Sequence, residues 1–119
     1  MTASVPLDGD VLLLAAARAS VTPDHLPELV RRAQAHLGAR LDEYDRAFEC
    51  VHEDDERALF LVPDGHWTEL GAELGLTDRE ADALRRAHEQ QLLRVGTKGG
   101  RRDEFDTALE IRQAVVVGR

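Results

Sequence analysis

A break within residues 67–86 most constrains the fold of this chain. Leu70 and Leu74 lie one helical turn apart before the break, and glycine occupies position 75. Glycine adopts the positive φ of a helix terminus without steric cost, so the first helix should end there. The apolar positions after the break suit one face of a second helix: Leu76, Ala81 and Leu84. The pattern predicts two short helices joined by a tight turn.

The start of the second helix carries its own signal. Thr77 is followed three residues later by Glu80, which together form the capping-box pattern of a helix N-terminus. Gly71 supplies a small residue where the two helices should cross. With these features residues 67–86 resemble the helix-turn-helix superfamily.

The flanking segments extend this resemblance to a winged helix-turn-helix. Leu41, Tyr44, Phe48 and Val51 have helical spacing and predict a helix over 41–51, and the apolar run 58–62 predicts a strand. We expect the motif's helices at 67–74 and 78–91, and then a strand over 92–97 leading into a turn at 98–100. A wing should return as a strand, but residues 101–110 have helical spacing. We therefore expect a C-terminal helix with a frayed or extended end at valines 115–117.

Two helices are predicted before this unit. Residues 10–19 are apolar nearly all round, which indicates a short buried helix. Thr22, Pro23 and Asp24 are typical of a helix start, and Gly38 is typical of a stop. The predicted core positions of that helix are Leu26, Leu29, Val30, Ala33 and Leu37. The sequence thus predicts one mostly α domain over 1–119, with a helix-turn-helix core, a short β element and extra terminal helices.

The resemblance implies that the second helix enters the major groove of double-stranded DNA. Arg79 would then read a base edge from the first turn of that helix. The remaining bases would contact phosphates. The predicted DNA-binding residues are Thr77, Arg79, Arg85, Arg86, Arg94, Lys98, Arg101 and Arg102.

Asp78 and Asp82 argue for an alternative, because a carboxylate on this helix repels phosphate. We interpret the chain as a small DNA-binding, regulator-like protein. The alternative is a non-enzymatic adaptor that binds another protein through the same scaffold. A positive face around Arg85, Arg86 and residues 94–102 would favour DNA, and a negative face would favour the adaptor.

A regulator of a two-fold DNA site should be a homodimer. For its contact we expect residues 10–19 or 105–117, with the valines at 115–117 preferred.

Neither an enzyme, a cofactor nor a metal site is expected. Cys50 is the only cysteine, and its neighbours His52 and Glu53 lack the paired spacing of zinc ligands. Trp67 is expected to anchor the core, with His66 at the helix N-terminus and His88 at the core's edge. The chain shows neither a basic leader nor a long apolar run, so we expect a cytoplasmic protein without a membrane partner.

The charge balance is unusual. The chain has 23 acids against 15 bases, a net charge of −8, and Lys98 is its only lysine. This surface resembles those of proteins from salt-accumulating halophiles, although a GC-rich genome also replaces lysine by arginine. If the halophile interpretation holds, the net charge reports habitat more than partner.

We therefore predict that the melting temperature rises with potassium chloride. Between about 0.1 M and 1 M salt the Debye length falls from roughly 10 Å to roughly 3 Å, which screens the self-repulsion of the acidic surface. Thermal melts across this range measure the effect. A melting temperature that is flat or falls with added salt would contradict the halophile interpretation.

Overall fold

The computed structural model describes residues 6–119. The elements in chain order are α1 (Gly9–Ala19), α2 (His25–Gly38), α3 (Leu41–Ala47), β1 (Glu49–Glu53), β2 (Arg57–Pro63), α4 (His66–Leu74), α5 (Asp78–Lys98), α6 (Arg102–Ala108) and β3 (Arg112–Gly118). The described part of the chain is thus mostly helical, with one small sheet. The predicted fold class is confirmed at this level.

The sheet is antiparallel in the order β1-β2-β3, so β2 is central. Residues 58–62 of β2 and 113–117 of β3 are all buried. An unbroken apolar run, instead of an alternating one, is typical of a strand covered on both faces. The strand predicted over 58–62 is confirmed, and its length and bounding turn were the correct signals.

The free edge of β3 is closed by side chains from three helices. In a central strand, the backbone N–H and C=O groups on this side would pair with a neighbouring strand. Here the indole Nε1 of Trp67 donates to Ala114 O (2.8 Å), the Nδ1 of His88 accepts from Val116 N (2.9 Å), and the amide of Gln34 donates to Val116 O (2.7 Å) and accepts from Gly118 N (2.8 Å). These side chains replace a fourth strand.

Helix α5 is the central support of the molecule. It contacts α1, α2, α4, α6 and β3. Trp67 is buried, which confirms it as a core anchor, and its ring lies 4.5 Å from that of His88. His88 is fully buried, so its expected position at the core's edge is wrong. It lies inside because β3 needs its ring nitrogen as an acceptor.

Two predicted elements are wrong. The helix predicted over 41–51 ends at Ala47, and Phe48 has extended backbone angles that lead into β1. Pairing with β2 overrides the helical spacing of Phe48 and Val51. The strand predicted over 92–97 is instead the last part of α5, where Leu92 and Leu93 are buried on the helix.

The region after α5 also departs from a wing. Within residues 6–119 α5 is followed by α6, so no β-hairpin follows it. The helix expected after Arg101 is present, and its end is extended, not frayed, since residues 112–118 form a strand. Gly96 permits this arrangement, because a Cβ there would lie 2.6 Å from Cδ2 of Phe105 on α6.

The terminal segments correct three further expectations. Helix α1 is not buried all round, since Leu13 and Leu14 are 59% and 43% exposed. The next helix begins at His25, whose N–H donates to Thr22 O, later than the predicted start. The valines 115–117 are fully buried between β2 and the helices, so they are not available as a dimer contact.

We predict that His88 makes the fold acid-sensitive. Burial lowers the pKa of His88 from 6.5 to about 3. Between these values the unfolded chain binds a proton that the folded chain excludes, so stability falls as pH falls. This term should cost about 3 kcal/mol between pH 6.5 and pH 4.

The replacement His88→Asn tests this, because its Oδ1 can accept from Val116 N and cannot be protonated in this range. The variant should be less stable than the parent near pH 7 and should lose less stability on acidification. Urea unfolding at fixed salt measures both. Parallel stability curves for parent and variant would contradict the prediction.

Candidate functional site

The α4–α5 unit (residues 66–98) has the break that the sequence predicts. Gly75 ends α4 with φ 70°, and Leu76 N donates to Gly71 O (2.8 Å). Leu70, Ala81 and Leu84 are buried, whereas Leu74 and Leu76 are half-buried against the same core. The two helices meet closely at Gly71, where a Cβ would lie 2.8 Å from Cβ of Ala81.

The capping box at the start of α5 is complete. Glu80 N donates to the hydroxyl of Thr77 (3.1 Å), and Thr77 N donates to the carboxylate of Glu80 (2.9 Å). The same carboxylate lies 2.6 Å from Nε2 of His25 on α2. The contact with His25, followed by that with Thr77, lowers the pKa of Glu80. The Thr77 hydroxyl, a predicted DNA contact, is therefore part of the helix cap.

The predicted phosphate-binding arginines in the middle of α5 pair with carboxylates of the same helix. Arg85 contacts Asp82 (2.7 Å) and Glu89 (3.0 Å), and Arg86 contacts Asp82 (2.7 Å). Burial tends to raise the pKa of Asp82, but the hydrogen bonds from Arg86 and Arg85 outweigh it and the pKa falls. Asp82 therefore remains ionised and neutralises part of the charge of both arginines.

The arginines at the far end of α5 are similarly paired. Arg94 contacts Asp10 of α1 (2.5 Å) and Asp8 (3.2 Å). The other contacts are Arg101 with Glu104 (2.7 Å), Val51 O and the Phe105 ring, and Arg102 with Asp106 (3.2 Å) and Thr97. Arg94 thus joins α1 to α5, Arg102 joins α6 to α5, and Arg101 joins β1 to the start of α6.

Arg79 and Lys98 differ from the other predicted bases. Both are exposed, and no carboxylate of residues 6–119 lies within ion-pair distance of either. They occupy opposite ends of α5, about 28 Å apart along its axis at 1.5 Å per residue. The structure therefore does not bring the predicted DNA-binding residues into one site.

A groove of about 340 Å³ lies over the α4–α5 unit, and we name it the interhelical groove. Ala72 and Leu76 contribute apolar surface, and Asp78, Asp82 and Arg85 contribute charge of both signs.

A second cleft, of about 470 Å³, lies between α3 and α4 and was missed at the level of sequence. Its floor brings together Tyr44 and His66, whose hydroxyl and Nε2 lie 2.6 Å apart. Burial raises the pKa of Tyr44 and lowers that of His66, so both are neutral near pH 7. The two residues are 22 positions apart with no shared motif, so no sequence signal connected them.

Cys50 and His52 lie on β1. The Cys50 thiol donates to His52 O (3.5 Å), and the His52 ring lies 2.9 Å from Asp54. Burial is the main cause of a raised pKa of Cys50. Across residues 6–119 no group of three or more histidine, cysteine or acidic side chains is placed to hold a metal ion.

Comparison with known proteins assigns this chain to a family. Residues 5–119 match the model of the family described as a domain of unknown function, DUF8048. The chain therefore belongs to that family. No curated protein and no solved structure matches it. Among the described residues, no helix has both the length and the apolar character needed to cross a membrane.

We predict that the contact at Gly71 is required for the α4–α5 unit. Gly71→Ala should destabilise the protein by about 1–3 kcal/mol, because the added methyl group would overlap Cβ of Ala81. The matched control is Gly38→Ala in α2, where an added Cβ meets nothing within 4 Å. Urea midpoints measure both. Equal midpoints for the two variants would contradict close packing at Gly71.

Proposed function

We propose that this protein is a non-enzymatic interaction domain, with a helix-turn-helix scaffold whose interhelical groove binds a partner protein. The observation that carries the proposal is the pairing of its bases. Five of the seven basic residues predicted to contact DNA are ion-paired with carboxylates of their own chain: Arg85, Arg86, Arg94, Arg101 and Arg102.

Phosphate contacts supply most of the affinity of such domains for DNA. An arginine that already holds a carboxylate benefits little from a phosphate, because one ion pair replaces another. Asp78 and Asp82 line the groove and would approach the phosphate backbone. Since the chain carries a net charge of −8, its overall field also opposes a polyanion.

The composition of the groove supports a protein partner. Protein–DNA interfaces are strongly positive, whereas protein–protein interfaces combine an apolar centre with a mixed polar rim. Half-buried Leu76 and exposed Ala72 provide the apolar part, and Asp78 and Arg85 provide rim charges of opposite sign. A partner segment that offers an apolar side chain between charged ones matches this arrangement.

A small DNA-binding regulator is the second candidate, and one observation favours it. Arg79 is exposed on the first turn of α5, the position from which such a helix reads base edges. No carboxylate of the described residues pairs with it. β2 and β3 are antiparallel neighbours that precede and follow the α4–α5 unit in the chain, an order that favours a winged-helix relationship.

We predict that Asp82→Asn creates duplex binding that the parent lacks. The substitution releases Arg86 and leaves Arg85 with Glu89 alone, so duplex binding should appear with a slope of log K against log salt of about −0.9 for each phosphate that the protein neutralises. Asp42→Asn is the matched control, because it removes one exposed acid on α3 without releasing an arginine. Fluorescence anisotropy with pooled duplex fragments at several salt concentrations measures the change.

The same assay can decide for the second candidate. If the parent binds one fragment in preference, and Arg79→Ala weakens that binding by about 1–3 kcal/mol, the protein reads DNA and the interaction domain is refuted.

A photo-crosslinking residue at Ala72 tests the interaction domain directly. Ala72 lines the groove, and exposed Ala35 on α2 provides the matched control on another face. We expect one discrete protein adduct from position 72 and none from position 35, in cells that produce the protein. Equal yields at both positions, or none at position 72, would contradict the proposal.

A further inference from the structure

A second concave surface is lined by more basic than acidic side chains. A pocket of about 340 Å³ lies between the β1–β2 turn and the C-terminal half of α5, and we name it the basic pocket. Its bases are Arg57, Arg94, Lys98 and Arg101, and its acid is Asp54. The lining itself reverses the balance of the whole chain, which has 23 acids and 15 bases, although Arg57, Arg94 and Arg101 also pair with carboxylates outside the lining.

The acid of the pocket is already satisfied within its own turn. One oxygen of Asp54 accepts from Glu56 N (2.8 Å) and Arg57 N (3.0 Å). The other oxygen lies 2.9 Å from Nε2 of His52. Because these donors surround the carboxylate, Asp54 stabilises the β1–β2 turn and little of its charge remains to neutralise the bases.

Two of the bases retain capacity for a ligand. Lys98 has no carboxylate of residues 6–119 within ion-pair distance. Arg57 donates to Pro6 O (3.0 Å) and Glu56 (3.3 Å), but its Nε is buried and has no hydrogen-bond partner among the described residues. A buried donor without a partner is costly, so this guanidinium would gain a hydrogen bond if it turned toward an acceptor bound in the pocket.

The other two bases are held in place from outside. Arg94 is fixed by Asp8 and Asp10, and Arg101 by Glu104 and Val51 O. None of these partners lines the pocket. Such contacts fix the direction of each guanidinium before a ligand arrives, which lowers the entropy lost on binding.

We propose that the basic pocket binds a small phosphate-bearing molecule, with Lys98 and Arg57 contacting the phosphate group. Phe105 and Val95 supply apolar wall for the rest of the ligand. The carbonyl end of α5 opposes any anion, so the affinity has to come from the direct contacts that Lys98 and Arg57 make with the phosphate oxygens. The pocket's volume suits a free small molecule, and its residues are separate from those of the interhelical groove.

Inorganic phosphate is the first probe. At constant ionic strength, balanced with potassium chloride, the melting temperature of the parent should rise with phosphate and saturate, as expected for binding to the folded state. Lys98→Gln should weaken phosphate binding at least tenfold, and Lys98→Arg should retain it. The matched control is Arg79→Gln, which removes the same charge from the other end of α5 and should bind like the parent.

Backbone amide shifts of Val95 and Gly99 during a phosphate titration locate the binding. The proposal is overturned if the parent shows no saturable response, or if Arg79→Gln loses binding as much as Lys98→Gln.

A nucleoside monophosphate and a duplex oligonucleotide distinguish the source of the phosphate. We expect the mononucleotide to compete with inorganic phosphate and the duplex to leave phosphate binding unchanged. If the duplex competes through Lys98, the pocket is a contact for a DNA backbone, and the small-molecule proposal fails.

Discussion

The closure of the β3 edge is the interaction on which the rest of the fold depends. Trp67, His88 and Gln34 come from three different helices, and each contacts the backbone of one strand. A buried backbone group without a partner costs about 1–3 kcal/mol, so the helices must take these places once β3 is inside. The Gln113 side chain reinforces the arrangement, since its Oε1 accepts from Trp67 N at the start of α4. The position of the α4–α5 unit therefore follows from the strand, and α5 places the interhelical groove and the basic pocket at its two ends.

Local signals in the sequence predicted the parts of the fold that local physics decides. The break at Gly75 and the capping box of Thr77 depend on residues a few positions apart, and both are present as expected. β1 and the extension of α5 to Lys98 depend on partners far along the chain. The helical spacing at Phe48 and the strand-like composition of 92–97 therefore gave wrong secondary-structure predictions. The burial of His88 could not be predicted from the sequence either, because it depends on which strand lacks a neighbouring strand.

In the candidate sites, too, local features could be predicted from the sequence and long-range contacts could not. The sequence identified the basic residues individually, but some of the carboxylates that pair with them become neighbours only in the folded structure. Arg94 pairs with Asp10 across 84 positions, and Arg57 meets Lys98 in a pocket that no motif announces. The short-range pairs of Arg85 and Arg86 with Asp82 were within reach, since they follow the three- and four-residue spacing of a helix.

The outer strand β1 has a consequence for how this protein can assemble. Its register shifts between Cys50 and His52, and acidic residues lie at both of its ends. Irregular, charged edge strands resist pairing with another chain. With β3 closed by side chains and β1 irregular, neither edge of the sheet is suited to growth by strand addition. Within residues 6–119 the sheet edges therefore offer no regular backbone ladder to another strand, so recognition at these edges depends on side-chain chemistry.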